Sequence, residues 1–129
     1  MKLGTLYPRG YAALDADQQV EVLMQSSDTL LLDIRLNPTS RWRPQWRKSA
    51  LQERWRDRYI HKRDLGNVNY RNDQPIQLLN PARGIEEVAQ MLRRGSSLVV
   101  LCACKDYEMC HRHTVVELLK IAIPEIEVK

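Results

Sequence analysis

Residues 97–122 read SLVVLCACKDYEMCHRHTVVELLKIA. Ser97 to Cys102 is a continuous apolar run of strand length, and a polar stretch follows it. From about Cys110 the pattern changes to helical spacing, with Val115, Val116, Leu119, Ile121 and Ala122 supplying apolar surface through Ala122. A strand therefore hands over directly to a helix, with cysteines and histidines at the join. TLLLDIR, residues 29–35, is a second such run, and its charged end is how a buried parallel strand delivers polar groups to its carboxyl edge.

Working outward, Lys2 to Leu6 reads as a first strand, with Pro8 and Gly10 as turn residues. Asp15 is placed to cap a helix through about Gln25, carrying Val20, Val22, Leu23 and Met24. Asn37-Pro38 ends the 29–35 strand, and a loop enters a helix at about Gln45 to Asp57. Arg58 to His61 reads as a short strand, and residues 62–79 as an irregular loop, long enough to be either functional or poorly ordered. Asn80-Pro81 is a helix start and Gly95 after Arg93-Arg94 a stop, with Ile85, Val88, Met91 and Leu92 at helical spacing between them. Glu125 to Val128 supplies a final strand. Strands alternating with helices imply an α/β fold: one domain over residues 1–129, with a mainly parallel sheet covered by helices on both faces.

The bulk numbers agree with one folded domain. The chain has 129 residues, 43% hydrophobic and 28% charged, enough to bury well over half of the surface its unfolded form exposes. No apolar run approaches the ~20 residues that span a bilayer, and the N-terminal stretch MKLGTLYPRG lacks the apolar core of a signal peptide. A cytoplasmic, membrane-free protein is expected, with its three cysteines in a reducing setting.

In open parallel sheets, ligands bind outside the carboxyl ends of the strands. One strand here ends in Asp33-Ile34-Arg35, the other in Cys102-Ala103-Cys104 before Cys110-His111-Arg112-His113. At a helix start, a Cys110 thiolate is favoured by the helix dipole and by nearby cations, which suits a nucleophile or a redox-sensitive thiol. The same backbone N–H groups, with Arg35 and Arg112, suit a phosphate or carboxylate.

Other readings stay open. C-x-C, five residues, then C-H-x-H departs from the usual zinc knuckles, so neither a metal nor a cofactor is expected. The phosphatase or sulfurtransferase loop of Cys, five residues and Arg is absent. Cys104 and Cys110 could form a reversible dithiol, giving a redox sensor. The plainest alternative is structural, with Cys102 a buried strand residue, His113 a helix-surface residue and Arg35 an ion-pair partner of Asp33.

The string LCACKDYEMCHRHTVVELL resembles the C-terminal signature of the bacterial and archaeal domain-of-unknown-function family 488, through Cys102, Ala103, Lys105, Asp106, Cys110, His111 and Arg112. LLLDIRLNPTSR is similar to that family's Asp-x-Arg strand end with its Pro and Ser-Arg pair, at Asp33, Arg35, Pro38, Ser40 and Arg41. Trp46 and Leu51 sit where the family tends to have an aromatic and an aliphatic residue, and YIHKRDLG resembles its Tyr-x-His and Leu-Gly stretch. The resemblance implies an α/β fold with Asp33, Arg35, Cys102, Cys110, His111 and Arg112 near one site. Cys104 stands where the family usually has Glu.

Charge is uneven. Residues 41–63 hold nine basic residues against two acids, interleaved with Trp42, Trp46 and Trp55. Arg47, Arg54 and Arg58 would form a stripe on one helix, a surface suited to phosphates and stacked bases; equally, the tryptophans could pack the helix on the sheet. The leading expectation is an anionic ligand, phosphate-bearing, nucleotide or nucleic acid, held by Arg35, Arg41 and Arg112 with His61. Cys110 is the expected activated thiol, His111 its base, and Asp33 and Cys102 complete the catalytic set. The alternatives are a non-catalytic nucleic-acid-binding or regulatory module using residues 41–63, and a thiol redox sensor.

Overall fold

A computed structural model describes residues 2–72, 74–103 and 110–129. The expected contributions of Cys104, Lys105 and Asp106 lie outside the described residues. Five strands form one parallel sheet: β1 (Thr5–Gly10), β2 (Thr29–Asp33), β3 (Tyr59–His61), β4 (Ser97–Cys102) and β5 (Glu127–Val128), in the order β3-β2-β4-β1-β5. The connections carry four helices, α1 (Ala16–Leu23), α2 (Lys48–Trp55), α3 (Pro81–Arg93) and α4 (His111–Ala122). The architecture is α/β, as expected.

β4 takes the centre because every residue from Leu98 to Cys102 is apolar and fully buried. The pleat divides them between two cores. Val99 and Leu101 pack with Val20, Met24, Trp46 and Leu51 under α1 and α2. Leu98, Val100 and Cys102 pack with Val88, Leu92, Val115 and Leu119 under α3 and α4. Each such Leu or Val stabilises the fold by roughly 1.5–3 kcal/mol relative to exposure.

Two elements differ from expectation. The first strand runs Thr5–Gly10, so Pro8 and Gly10 belong to it and are not turn residues. Leu6 O accepts from Lys129 N on the β5 side. Pro8, two residues on, turns the side that lacks N–H the same way, past the end of β5, while pairing with Val100 of β4 on the other side. Second, the helix expected over 45–57 is broken into a 3-10 turn at Pro44–Trp46, α2, and a 3-10 turn at Arg56–Arg58. Arg47 is extended at ψ 149° and Arg56 adopts φ 54°, so Arg47, Arg54 and Arg58 do not share one helical stripe.

The stops around α3 follow the sequence. Asn80 caps it through its side-chain oxygen, which accepts from Arg83 N, and Gly95 beyond its end has φ 96°. In the loop after β3 the Asn67 side-chain oxygen ties two parts of the chain together, accepting from Asn69 N at 3.0 Å and Gln77 N at 3.1 Å. A bridge between Asn67 and Leu78 closes the base of this loop. Among the described residues, no helix is long and apolar enough to cross a membrane.

Candidate functional site

The chain leaves β1 toward β2 across the α1 face and leaves β4 toward β5 across the α4 face. Adjacent strands whose connections diverge open a crevice at their carboxyl ends. A cavity of about 670 Å³ lies at this end of the sheet. Tyr11 follows β1, Arg35, Asn37 and Thr39 follow β2, Asn67, Asn69, Tyr70, Asn72 and residues 74–76 come from the loop after β3, and Ala103 and His111 flank the β4–α4 join. The long loop expected to be functional or disordered is therefore a wall of the cavity.

Asp33 is wholly buried at the end of β2. Its Oδ1 accepts from Arg35 N at 3.1 Å and Arg35 Nε at 2.8 Å. Its Oδ2 accepts from Arg35 Nη2 at 2.7 Å and from the Tyr59 hydroxyl at 2.5 Å. The carboxylate is thus saturated, and it positions Arg35 without facing the cavity. Burial, the Asp33 negative charge and the hydrogen bond to it push the Tyr59 hydroxyl well above the usual tyrosine range. Burial lowers the Arg35 pKa, but the Asp33 hydrogen bond and charge more than offset it, so the guanidinium is held charged.

Arg35 Nη1 is buried and has no hydrogen-bond partner among the described residues. The guanidinium lies 5.3 Å from the Tyr11 ring centroid, and Tyr11 stacks on buried Trp46 at 5.6 Å and 15°. The arginine is therefore fixed on both sides, with one donor to spare.

Two histidines fasten the backbone after β2. His61 Nε2 lies 2.7 Å from Arg35 O, and His111 Nε2 lies 2.8 Å from Ile34 O. A carbonyl only accepts, so each Nε2 carries the proton and donates. In neutral His111 this leaves Nδ1 bare, 3.8 Å from Cys110 Sγ. Burial holds His111 below the ordinary histidine range; the Ile34 carbonyl opposes that effect and the Arg112 charge adds to it. The arrangement is a neutral imidazole whose tautomer is set by the main chain, with its bare nitrogen beside the Cys110 sulfur.

Cys110 is the N-cap of α4, as its place before the helix suggests, and is 1% exposed. Its sulfur is joined to that of Cys102 at the end of β4 in a disulfide, their Cα atoms being 7.9 Å apart, so the two thiols exist in the reduced protein. The two sulfurs and His111 Nδ1 lie within 4.8 Å of one another, a donor set that could serve thiol chemistry or a soft metal ion. The dithiol considered for Cys104 and Cys110 falls outside the described residues, and the described neighbour of Cys110 is Cys102.

The structure thus gathers Asp33, Arg35, Cys102, Cys110 and His111, with His61 behind Arg35. It does not bring Arg41 to the cavity: that residue is exposed, its guanidinium 5.2 Å from the Trp42 ring centroid. Arg112 is buried and is not among the cavity-lining residues. Tyr11 escaped sequence reasoning, and Tyr59 and the asparagines of the loop after β3, though in noted stretches, were not singled out as site residues. Placing the end of β1 at Gly10 would have pointed to Tyr11.

The basic segment is mostly structural. Arg43 donates to Tyr11 O, and Arg47 Nε to Ser40 O at 2.8 Å. Arg58 Nη2 donates to Met24 O at 2.5 Å, Ser26 O at 2.7 Å and Thr29 O at 3.0 Å, tying down the turn after α1. Arg54 pairs with Glu21 at 3.6 Å and lies 4.6 Å from the Trp55 ring centroid. Trp42, 84% exposed, is the one tryptophan of the three left to solvent.

No curated protein and no solved structure is significantly similar to this chain. One family model, domain of unknown function DUF488, matches residues 15–119, from the N-cap of α1 to the last turns of α4. That span contains Asp33, Arg35, His61, Cys102, Cys110 and His111, and the chain belongs to the DUF488 family.

Proposed function

We propose that the cavity binds a phosphate-bearing or otherwise anionic ligand through Arg35, with Cys110 as a reactive thiol and His111 as its base. The single domain of residues 1–129 would act in a cytoplasmic, reducing setting. The observation that carries the reading is the spare Nη1 of Arg35: a buried, charged donor without a partner among the described residues, on a residue that lines the cavity, whose sister nitrogens are committed to Asp33. A buried donor without a partner costs more than the roughly 1–3 kcal/mol of an unmet neutral group, and a ligand oxygen would recover that cost. The amides of Asn37, Asn67 and Asn69 on the same wall can serve a sugar or base edge, which favours a nucleotide over bare phosphate.

Titration calorimetry with inorganic phosphate, a nucleoside monophosphate and a short oligonucleotide tests this. Losing one charge-assisted hydrogen bond of about 1.5–3 kcal/mol in Arg35→Lys should weaken binding roughly 10- to 150-fold. Equal affinity in wild type and Arg35→Lys, or no saturable binding of any of the three, would overturn the reading. Nucleic-acid binding through residues 41–63 has Trp42 and the exposed Arg41, Lys48, Arg56 and Arg63 to support it, while Arg43, Arg47 and Arg58 are engaged with carbonyls.

A further inference from the structure

We infer that Cys102 and Cys110 form a two-cysteine centre that reacts with a small hydroperoxide, Cys110 attacking and Cys102 resolving. The inference rests on the reading of Cys110 as a reactive thiol and is independent of the anion.

The two sulfurs come from different elements, the end of β4 and the cap of α4, and are joined as a disulfide inside the protein, the oxidised state of the pair. Their roles are unequal. Cys110 Sγ has the bare Nδ1 of His111 at 3.8 Å and the start of α4 beneath it, both of which favour its thiolate. Cys102 belongs to the apolar core under α3 and α4, in one cluster with Val100 and Val115. Cys102 and Cys110 are 0% and 1% exposed, one residue behind Ala103 and His111, which line the cavity. A pair so deeply placed suits a small oxidant better than a bulky disulfide.

The steps balance. His111 Nδ1 takes the Cys110 proton; the thiolate attacks the terminal oxygen of the hydroperoxide, forming an S–O bond and breaking O–O. His111 returns the proton to the leaving alkoxide, giving the alcohol and a sulfenic acid at Cys110. The Cys102 thiol then attacks that sulfur, and water leaves as the disulfide forms. Two electrons pass from the thiols to the peroxide, and a small dithiol reductant restores the pair. Because each cysteine immediately precedes a cavity-lining residue, oxidation state and cavity shape are linked.

The test begins with reduced wild-type protein treated with hydrogen peroxide, denatured, alkylated and digested with trypsin. Cleavage at Lys105 separates Cys102 from Cys110, so a disulfide between them appears as a linked peptide pair; repeating the digest in Cys104→Ser removes the competing thiol. Expected is a Cys102–Cys110 link in both proteins, reversed by dithiothreitol, and a sulfenic acid trapped at Cys110 in Cys102→Ser. Glutathione disulfide should give no link, and His111→Gln should slow the peroxide reaction by roughly 10²-fold or more. Three free thiols after peroxide, or a link through Cys104 in its place, would overturn the inference. So would one equivalent of zinc in the purified protein with thiols silent until chelation, which would make the pair metal ligands. Phosphate titration of the reduced wild-type protein, run beside the peroxide reaction, separates the two readings, because either result can fail while the other holds.

Discussion

Asp33→Asn is the perturbation that most directly probes how the site is held. In the native protein the carboxylate takes four hydrogen bonds and faces one guanidinium at 2.7 Å, both side chains being almost fully buried. Removing the negative charge leaves the Arg35 cation buried and uncompensated, which costs about 3–5 kcal/mol. Against a total stability of roughly 5–15 kcal/mol that is a large fraction, worth a fall in melting temperature of about 10–25 °C for a domain of this size. Arg35→Met should cost a comparable amount, because it strands the anion. The double variant, Asp33→Asn with Arg35→Met, carries no buried charge and keeps an acceptor for the Tyr59 hydroxyl. It should therefore be more stable than the sum of the singles by at least about 2 kcal/mol. Urea unfolding at pH 7, followed through the fluorescence of buried Trp46, measures all four proteins. Single losses under about 1 kcal/mol, or strictly additive losses, would refute the claim that Asp33 and Arg35 are a desolvated, mutually dependent pair.

Two further outcomes follow from the geometry. His111 is held below its unfolded value near 6.5 chiefly by burial, so the unfolded chain takes up a proton first as the solution is acidified. Stability is full above about pH 6.5 and falls below it by up to about 1.4 kcal/mol per pH unit, until the folded protein also protonates. Cys110, Arg112 and Asp33 around the ring are unchanged in His111→Gln, so the difference in urea midpoint between the two proteins across pH 7.5 to 5.5 should show the slope, and parallel curves would contradict it. Gly66→Ala should destabilise by about 1–3 kcal/mol, because the added Cβ would stand 2.6 Å from Leu36 Cα where the loop after β3 crosses the segment after β2. Thermal unfolding unchanged from wild type would show that this crossing relaxes freely.

The parts of the fold that were legible are those whose signal is local and apolar. β2 and β4 are continuous buried runs, Asn80-Pro81 and Gly95 are stereochemical punctuation, and Cys110 precedes a helical pattern, so each could be placed without knowing its partners. Pro8 misled because a proline is excluded from a strand only where both edges are paired; how far β5 extends is a tertiary fact. The arginines misled for a related reason. Positive charge in a sequence suggests an outward surface, but Arg43, Arg47 and Arg58 spend their donors on main-chain carbonyls, which carry no residue identity and leave no trace in composition.

The same principle governs the site itself. Asp33, Arg35, Cys110 and His111 could be picked out as chemical residues, but the links among strand ends run through the carbonyls of Ile34 and Arg35, each bound by a histidine from another segment. Those carbonyls fix the His111 tautomer and so decide which ring nitrogen meets the thiol. Asp33 then offsets the Arg35 charge while leaving one donor unspent, and among the described residues that line the cavity Arg35 is the one arginine or lysine. An oligophosphate would find too little charge there. A ligand with one anionic oxygen and neutral hydrogen-bonding edges would meet Arg35 Nη1 on one side and the asparagine-rich wall on the other.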